Sequence, residues 1–317
     1  MLTLVSDATS IDPVLVTGAG GFIGSAVTRL LAEAGVQVRA HLGPPGATTI
    51  PPPAGLDAIS ADIDDLDGVR SLVDGVTTIV HLAGPASVAA SFSDPIGYAR
   101  AHVVGTATLL EACRGSEVRT LVHVSSAELY GRPDRNPVRE DDPLRPRSPY
   151  GAVKLGAESL VRSLAPVLGI RSVALRPFSV YGPGGPRRSL VGTLLEQAVH
   201  AEEVLLGDLR PVRDYCFVDD VATAVARACS SDAGVGDVFN VGSGVGTSVE
   251  DLARLALSVV GRDVPIRTGV PDRPAGVDVS ELVADVSAIR RELGWTAATS
   301  LRDGLSRTIA TGEVGHR

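Results

Sequence analysis

Val14-Leu-Val-Thr17 runs directly into Gly18-Ala-Gly-Gly-Phe-Ile-Gly24, and this junction most limits what the 317-residue chain can become. A short apolar run ended by glycines reads as a buried strand. Beyond the glycines, Ile23, Ala26, Val27, Leu30, Leu31 and Ala34 recur at helical spacing until Gly35 closes the helix. Strand, tight turn and helix in immediate succession open a βαβ unit. Glycines at 18, 21 and 24 let the backbone approach a pyrophosphate, which then rests on the helix N-terminus together with the first-turn residues Phe22 and Ile23. The Gly-x-x-Gly-x-x-Gly spacing differs from the Gly-x-Gly-x-x-Gly of standard dehydrogenases, so its weight comes from the strand–loop–helix context.

Downstream, strand-like and helix-like stretches alternate. Residues 36–42 read as a second strand, whereas residues 43–55, with five prolines and three glycines, read as a loop. Further strand-like runs cover 78–83, 119–125 and 171–176, with helical patterns near 64–74, 95–114 and 149–168. This alternation predicts an α/β fold, a doubly wound parallel sheet with helices on both faces. Aromatics make up only 3% of the chain, and Val, Leu and Ala carry the apolar content, which suits buried parallel strands. After Pro177 the pattern changes. A turn-rich loop over 181–188 precedes helices expected near 189–200, 219–229 and 247–260 and a strand over 238–241. The expected organisation is a flexible lead-in over 1–12, a Rossmann-type dinucleotide-binding domain over 13–177, and a smaller, mainly substrate-binding part over 178–317. Segments near 214–242 are expected to return to the first domain.

Composition removes several function classes. The formal net charge is −8 and no basic cluster is present, which argues against nucleic acid and anionic membrane surfaces as partners. Cys113, Cys216 and Cys229 are odd in number and lack metal-ligand spacing, so no metal is expected and a reducing, cytoplasmic setting is. No apolar run approaches about 18 residues, and residues 1–12 lack the basic flank and apolar stretch of a signal peptide.

The chemistry is carried by Tyr150 and Lys154. Four residues apart, they share a helix face. An ammonium beside a phenol favours the phenolate, giving a general base able to take a proton from a hydroxyl while hydride leaves the adjacent carbon. Upstream, Ser125-Ser-Ala-Glu-Leu-Tyr-Gly131 follows a strand, at the sheet edge where open α/β folds bind ligands. A serine there can hold a substrate oxygen for Tyr150, or simply bond to the backbone. The helix bearing Tyr150 follows so closely that the first role is favoured. The second strand ends without the usual acidic residue for a ribose 2′-hydroxyl, which leaves NAD against NADP open, with Arg39 or His41 either facing a 2′-phosphate or simply solvent-facing strand residues. Asp62 is placed either at the adenine or as a helix cap.

With these motifs in order, the chain resembles the extended short-chain dehydrogenase/reductases of the nucleotide-sugar epimerase/dehydratase group, from about residue 14 to 310. Leu175-Arg-Pro-Phe-Ser-Val-Tyr-Gly-Pro-Gly184, Arg213-Asp-Tyr-Cys-Phe-Val-Asp-Asp220, Phe239-Asn-Val-Gly-Ser243 and the stretch 284–295 also match its signatures. The resemblance implies Ser126 as the hydroxyl on the sugar oxygen, Tyr150 as base, and Lys154 as its activator and a ribose ligand. It further implies Asp62, Ile63, Leu82, Ala83, Gly84 and Pro177 along the cofactor, and Ser87, Ser125, Ser179, Arg213 and Arg273 toward a nucleotide-diphosphate sugar. A homodimer through helices near 95–114 and 149–168 is implied too.

Departures from that pattern sharpen the question. His102 and Ser179 stand where the family usually has Asn, and the spacing from Arg273 to Asp278 is stretched. The family's shared step is oxidation at C4 of the sugar. Dehydratases then need an acid and a base beside the serine; here the acid position is Ala127, while Glu128 either matches the base or is a structural carboxylate. The expected reaction is therefore 4-epimerisation. Elimination or decarboxylation using Glu128, reduction of a 4-ketosugar with NADPH, and a catalytically silent cofactor-binding protein are the alternatives.

Overall fold

The computed structural model describes residues 13–47, 50–231, 237–269 and 279–311. The expected lead-in over 1–12, and Arg273, lie outside the described residues. In chain order the strands are β1 (Val14–Thr17), β2 (Val38–His41), β3 (Asp57–Ile59), β4 (Thr78–His81), β5 (Thr120–Val124), β6 (Arg171–Pro177), β7 (Ser179–Tyr181), β8 (Val204–Leu206), β9 (Val212–Phe217), β10 (Asp237–Val241), β11 (Gly246–Ser248), β12 (Ile266–Thr268) and β13 (Glu281–Leu282). The helices are α1 (Phe22–Glu33), α2 (Leu66–Val73), α3 (Val88–Ser93), α4 (Pro95–Ala99), α5 (Gly105–Ala112), α6 (Pro149–Leu164), α7 (Leu190–His200), α8 (Val218–Ser230), α9 (Val249–Val260), α10 (Ser287–Leu293) and α11 (Leu301–Ala310).

Seven strands form one parallel sheet in the order β10-β6-β5-β4-β1-β2-β3. Alternate residues of each strand feed opposite cores, as pleating requires. Val14 and Val16 of β1, Val80 of β4 and Val122 of β5 face α1 and α8, where Val27, Leu31 and Val225 are fully buried. Leu15, Ile79 and Leu121 face the other way, onto Leu72 of α2, Leu109 of α5 and Val161 of α6. Each fully buried aliphatic side chain contributes roughly 1.5–3 kcal/mol of apolar burial. The sheet is thus doubly wound, and its strand order reverses between β1 and β4. The crevice at a reversal point, outside the carboxyl ends of the strands, is where such sheets bind ligands.

Strand β9 lies in a second, smaller sheet, between β11 and β13, with β7 alongside it, whereas β10 and α8 join the large sheet and its cover. Behind the small sheet, α7, α9 and α11 enclose a separate core around Leu194, Phe217, Leu252 and Leu305. The single helical pattern read over 95–114 is three pieces. Helix α4 starts at Pro95 with Asp94 capping it, a π-helical turn spans Arg100–Val104, and α5 follows. Gly105 opens α5 because Ile63 packs against it; a Cβ there would lie 2.6 Å from Ile63 Cγ2.

Candidate active site

The glycine loop lies at the reversal point, and its geometry fits a dinucleotide. Gly18 has φ +71°, and a Cβ at Gly24 would lie 2.0 Å from the Gly18 carbonyl oxygen, so helix and loop touch backbone to backbone. No side chain caps α1 at Gly21, and no acidic residue stands in its first turn. That leaves the positive end of α1, at Phe22, Ile23 and Gly24, for an anion. Phe22 and Ile23 turn their side chains onto the core, so they offer backbone only. Across the crevice, the Thr17 hydroxyl accepts from Leu82 N (3.1 Å) and Ala83 N (3.2 Å), binding the end of β1 to the stretch Leu82–Gly84. Thr17 escaped sequence reading; its position at the last residue of β1 was the available signal.

Both basic residues of β2 bond within the chain. Arg39 donates to Asp57 Oδ2 at 2.7 Å and to the carbonyls of Leu72 and Asp74 at 2.9 and 2.7 Å. His41 is fully buried and donates from Nε2 to Ala61 O at 2.9 Å. Asp62 is exposed beside α2 but does not cap it, since Asp65 holds the cap position without a side-chain bond. Ile63 is buried in the core against Gly105. Pro177 closes β6, and the next residue, Phe178, donates its N–H to Val241 O.

Strand β5 delivers Ser125 and Ser126 to the same edge. Ser126 Oγ accepts the Glu128 N–H at 3.1 Å, and Ser126 is a hydrogen-bond partner of the Tyr150 phenol. Ser148 Oγ accepts from Gly151 N (3.1 Å) to cap α6, and Ser91 Oγ accepts from Tyr150 N (3.1 Å), which fixes the first turn of the helix. Tyr98 and His102 wall the phenol edge-on, with ring centroids 6.3 and 5.8 Å away. Lys154, one turn on, is 4% exposed and donates from Nζ to Val124 O at 2.6 Å.

The electrostatics correct one expectation. Burial pushes the Tyr150 phenol up to about 12, with the Ser126 bond opposing it and the Glu128 charge adding to it. Burial brings Lys154 down to about 8, against the pull of Glu158. A bare Tyr–Lys pair in water would show a lowered phenol; here desolvation wins. Lys154 is also the sole lysine among 29 basic residues, so arginine serves every other cationic position of the sequence. Around it lie His81, His102 and His123, all held neutral by burial first and by the Lys154 charge second. Nε2 of His102 donates to Pro85 O (2.9 Å), and its ring covers Gly84, where a Cβ would lie 2.3 Å from Cε1. The departure from Asn thus has a physical setting: the π-helical turn seats a flat ring against a glycine with φ +125°.

Glu128 is half-buried beside the phenol, while Ala127 is buried among Tyr130, Val138 and Phe178. Ser87 caps α3, accepting from Ala90 N at 3.1 Å, and its carbonyl accepts from Tyr98 Oη at 2.7 Å. Ser179 and Arg213 lie on neighbouring strands, β7 and β9, where Ser179 pairs with Tyr215 and Arg213 with Thr247 and Leu282. Ser126, Tyr150 and Lys154 thus converge where the end of β5 meets α6, while Ser179 and Arg213 lie in the small sheet.

The model of the NAD dependent epimerase/dehydratase family matches residues 14–242. The UDP-glucose 4-epimerase of Corynebacterium glutamicum is 34% identical, over 95% of this chain and 97% of that protein. A dTDP-glucose 4,6-dehydratase of Streptomyces griseus is 33% identical, over 93% of this chain and 92% of its own length. Among solved structures, MoeE5 in complex with UDP-glucuronic acid and NAD superposes with a TM-score of 0.85 at 34% identity, covering 94% of this chain and 98% of that one. The glycine cradle, the strand order and these end-to-end likenesses together make the chain a member of the NAD-dependent epimerase/dehydratase family.

Proposed function

We propose that this chain is a nucleotide-sugar 4-epimerase that works on a UDP-hexose with NAD held permanently in the site. The observation that carries the reading is the convergence of Ser126, Tyr150 and Lys154 at the end of β5, beside the glycine cradle. Bound NAD+ supplies the hydride acceptor and, on return, the donor. Ser126 holds the C4 oxygen and Tyr150 takes its proton. Lys154 stabilises the phenolate form of Tyr150 that accepts this proton and becomes the phenol and, through Val124 O, is itself fixed to the strand. Lys154 favours this phenolate where burial otherwise holds the phenol high. Arg39 is occupied by Asp57, which favours NAD over NADP and speaks against the NADPH ketoreductase alternative.

In this reading the first part of the chain carries the dinucleotide, and the small sheet, with Ser179 and Arg213, covers the sugar nucleotide. Arg273 is proposed on the resemblance alone. Ile96 (82% exposed) and Val104 (48%) give the 95–114 surface the apolar character that a homodimer contact needs. One observation favours a second reading, elimination or decarboxylation: the Glu128 carboxylate stands near enough to Tyr150 to raise its phenol. Ala127 opposes it, since an alanine cannot protonate a leaving group.

The test is incubation with UDP-glucose and UDP-glucuronic acid. Epimer should appear without net reduced nicotinamide, and Tyr150→Phe should abolish turnover while retaining bound cofactor. Accumulation of a 4-keto sugar with loss of water or CO2 would replace epimerisation by the second reading.

A further inference from the structure

Three consecutive residues at the end of β5 are each held by one face of α6. Val124 O accepts from Lys154 Nζ at 2.6 Å, Ser125 Oγ donates to Glu158 Oε2 at 2.6 Å, and Ser126 meets the Tyr150 phenol. Tyr150, Lys154 and Glu158 follow one another at intervals of four, a single line down the helix. Glu158 is the member that the proposed reaction leaves unused. Its side chain is 1% exposed, and so is that of Arg176, which reaches it from β6 with Nη2 to Oε1 at 2.6 Å and Nε to Oε2 at 3.1 Å. Arg176 Nη1 continues to Tyr130 Oη (2.8 Å) and Glu140 O (3.2 Å), and Tyr130 donates to Asn240 Oδ1 at 2.7 Å. A two-pronged guanidinium–carboxylate pair of this kind fixes direction as well as charge. The charged group buried one turn before it is Lys154, whose other titratable neighbours, His81 on β4, His123 on β5 and His102 on the π-helical turn, are neutral.

We propose that Glu158 is a positioning residue for the reaction. Locked by Arg176 and by the Ser125 hydroxyl, it clamps α6 to the end of β5 so that Tyr150, Lys154 and Ser126 stay in register, and it supplies the counter-charge that keeps Lys154 an ammonium in a buried site. The inference rests on the assignment of Tyr150 and Lys154 above. A structural ion pair alone would predict only lost stability on its removal.

Because Lys154 is the sole lysine, protein labelled with 13C-lysine gives one side-chain signal that reports its protonation directly, with or without substrate. In the parent enzyme that signal should titrate near 8. Glu158→Gln keeps the shape and removes the charge, so the midpoint should fall by about one unit or more. In the cofactor-loaded enzyme, kcat should fall roughly tenfold or more as register loosens, with KM little changed and the alkaline limb moved to lower pH. Glu158→Leu combined with Arg176→Met removes the uncompensated guanidinium, and it carries the same readouts if the single variant does not fold. An unmoved lysine midpoint in either folded variant, or parent-like kcat in the double variant, would overturn the proposal. Tyr150→Phe, measured alongside, separates the two levels: retained turnover there overturns the base assignment, whereas a dead Tyr150→Phe beside an unmoved lysine midpoint overturns only the role of Glu158.

Discussion

Replacing Gly24 with alanine should cost this protein both stability and cofactor, and the two losses can be separated. The new Cβ would sit 2.0 Å from Gly18 O, 2.8 Å from Gly18 C and 3.1 Å from Ala19 Cα, all backbone atoms. Relieving the first contact needs a displacement of about 1 Å. The loop has little room for it: Gly21 N bonds to Gly18 O (3.0 Å), Ala19 N to His41 O (2.9 Å) and Ile50 N to Gly20 O (3.0 Å). Behind Gly18, the Ala83 backbone stands 3.0 Å from where a Cβ would be. Overpacking of this kind costs about 2–3 kcal/mol, which for a chain of this size lowers Tm by roughly 3–5 °C. The same displacement pulls the α1 N-terminus off the pyrophosphate, so calorimetric titration of protein stripped of its cofactor should show NAD binding at least about tenfold weaker, 1.4 kcal/mol. Gly35→Ala is the control. At φ +82° with nothing within 4 Å it meets only backbone strain, about 1–2 kcal/mol, far from the crevice. It should lower Tm and leave NAD affinity unchanged. Parent-like NAD binding in Gly24→Ala, or equal weakening in both variants, would refute the argument that this close contact builds the cofactor site.

Three further outcomes follow from the geometry. Arg39→Ala should leave the NAD-to-NADP preference unchanged, because its guanidinium is committed to Asp57, Leu72 and Asp74; comparative binding of the two dinucleotides checks this. Burial lowers His41, His81, His102 and His123, so the unfolded chain binds protons that the folded one does not. Stability should therefore be lost as pH falls below the unfolded value of 6.5, by up to about 1.4 kcal/mol per pH unit for each histidine, and urea unfolding between pH 5.5 and 6.5 should show a shallower slope in His123→Phe. Glu128→Gln should retain most epimerase turnover, measured as epimer formed, since the carboxylate opposes the Tyr150 phenolate; a loss of several orders of magnitude would move Glu128 into the reaction itself.

What could be read from sequence is what is local. β1, the glycine loop and α1 are contiguous, and Tyr150 and Lys154 sit on one face by helical spacing alone, so both were legible. Ser125 and Ser126 followed from the position of a strand end. What escaped depends on distant partners. Arg39 looked like a phosphate ligand until Asp57, 18 residues on, claimed it. The phenol looked acidic by spacing alone, whereas its burial raises it. Residues 95–114 kept an apolar period of one helix, because a π-helical turn adds a residue without changing which types are apolar. The small sheet was hidden by its short strands, β7 and β11 being three residues each and paired through β9. Glu158 lies at the same spacing that exposed Lys154, yet Arg176, which gives it meaning, arrives from another strand.

The central claim is that a hydride leaves C4, stays within the site and returns to the same carbon. Turnover of UDP-glucose in deuterium oxide, followed by NMR of the products, tests it most directly. The account predicts C4 epimers that keep their original hydrogen at C4, with no reduced nicotinamide released. Deuterium at C4, or stoichiometric release of reduced cofactor, would contradict it.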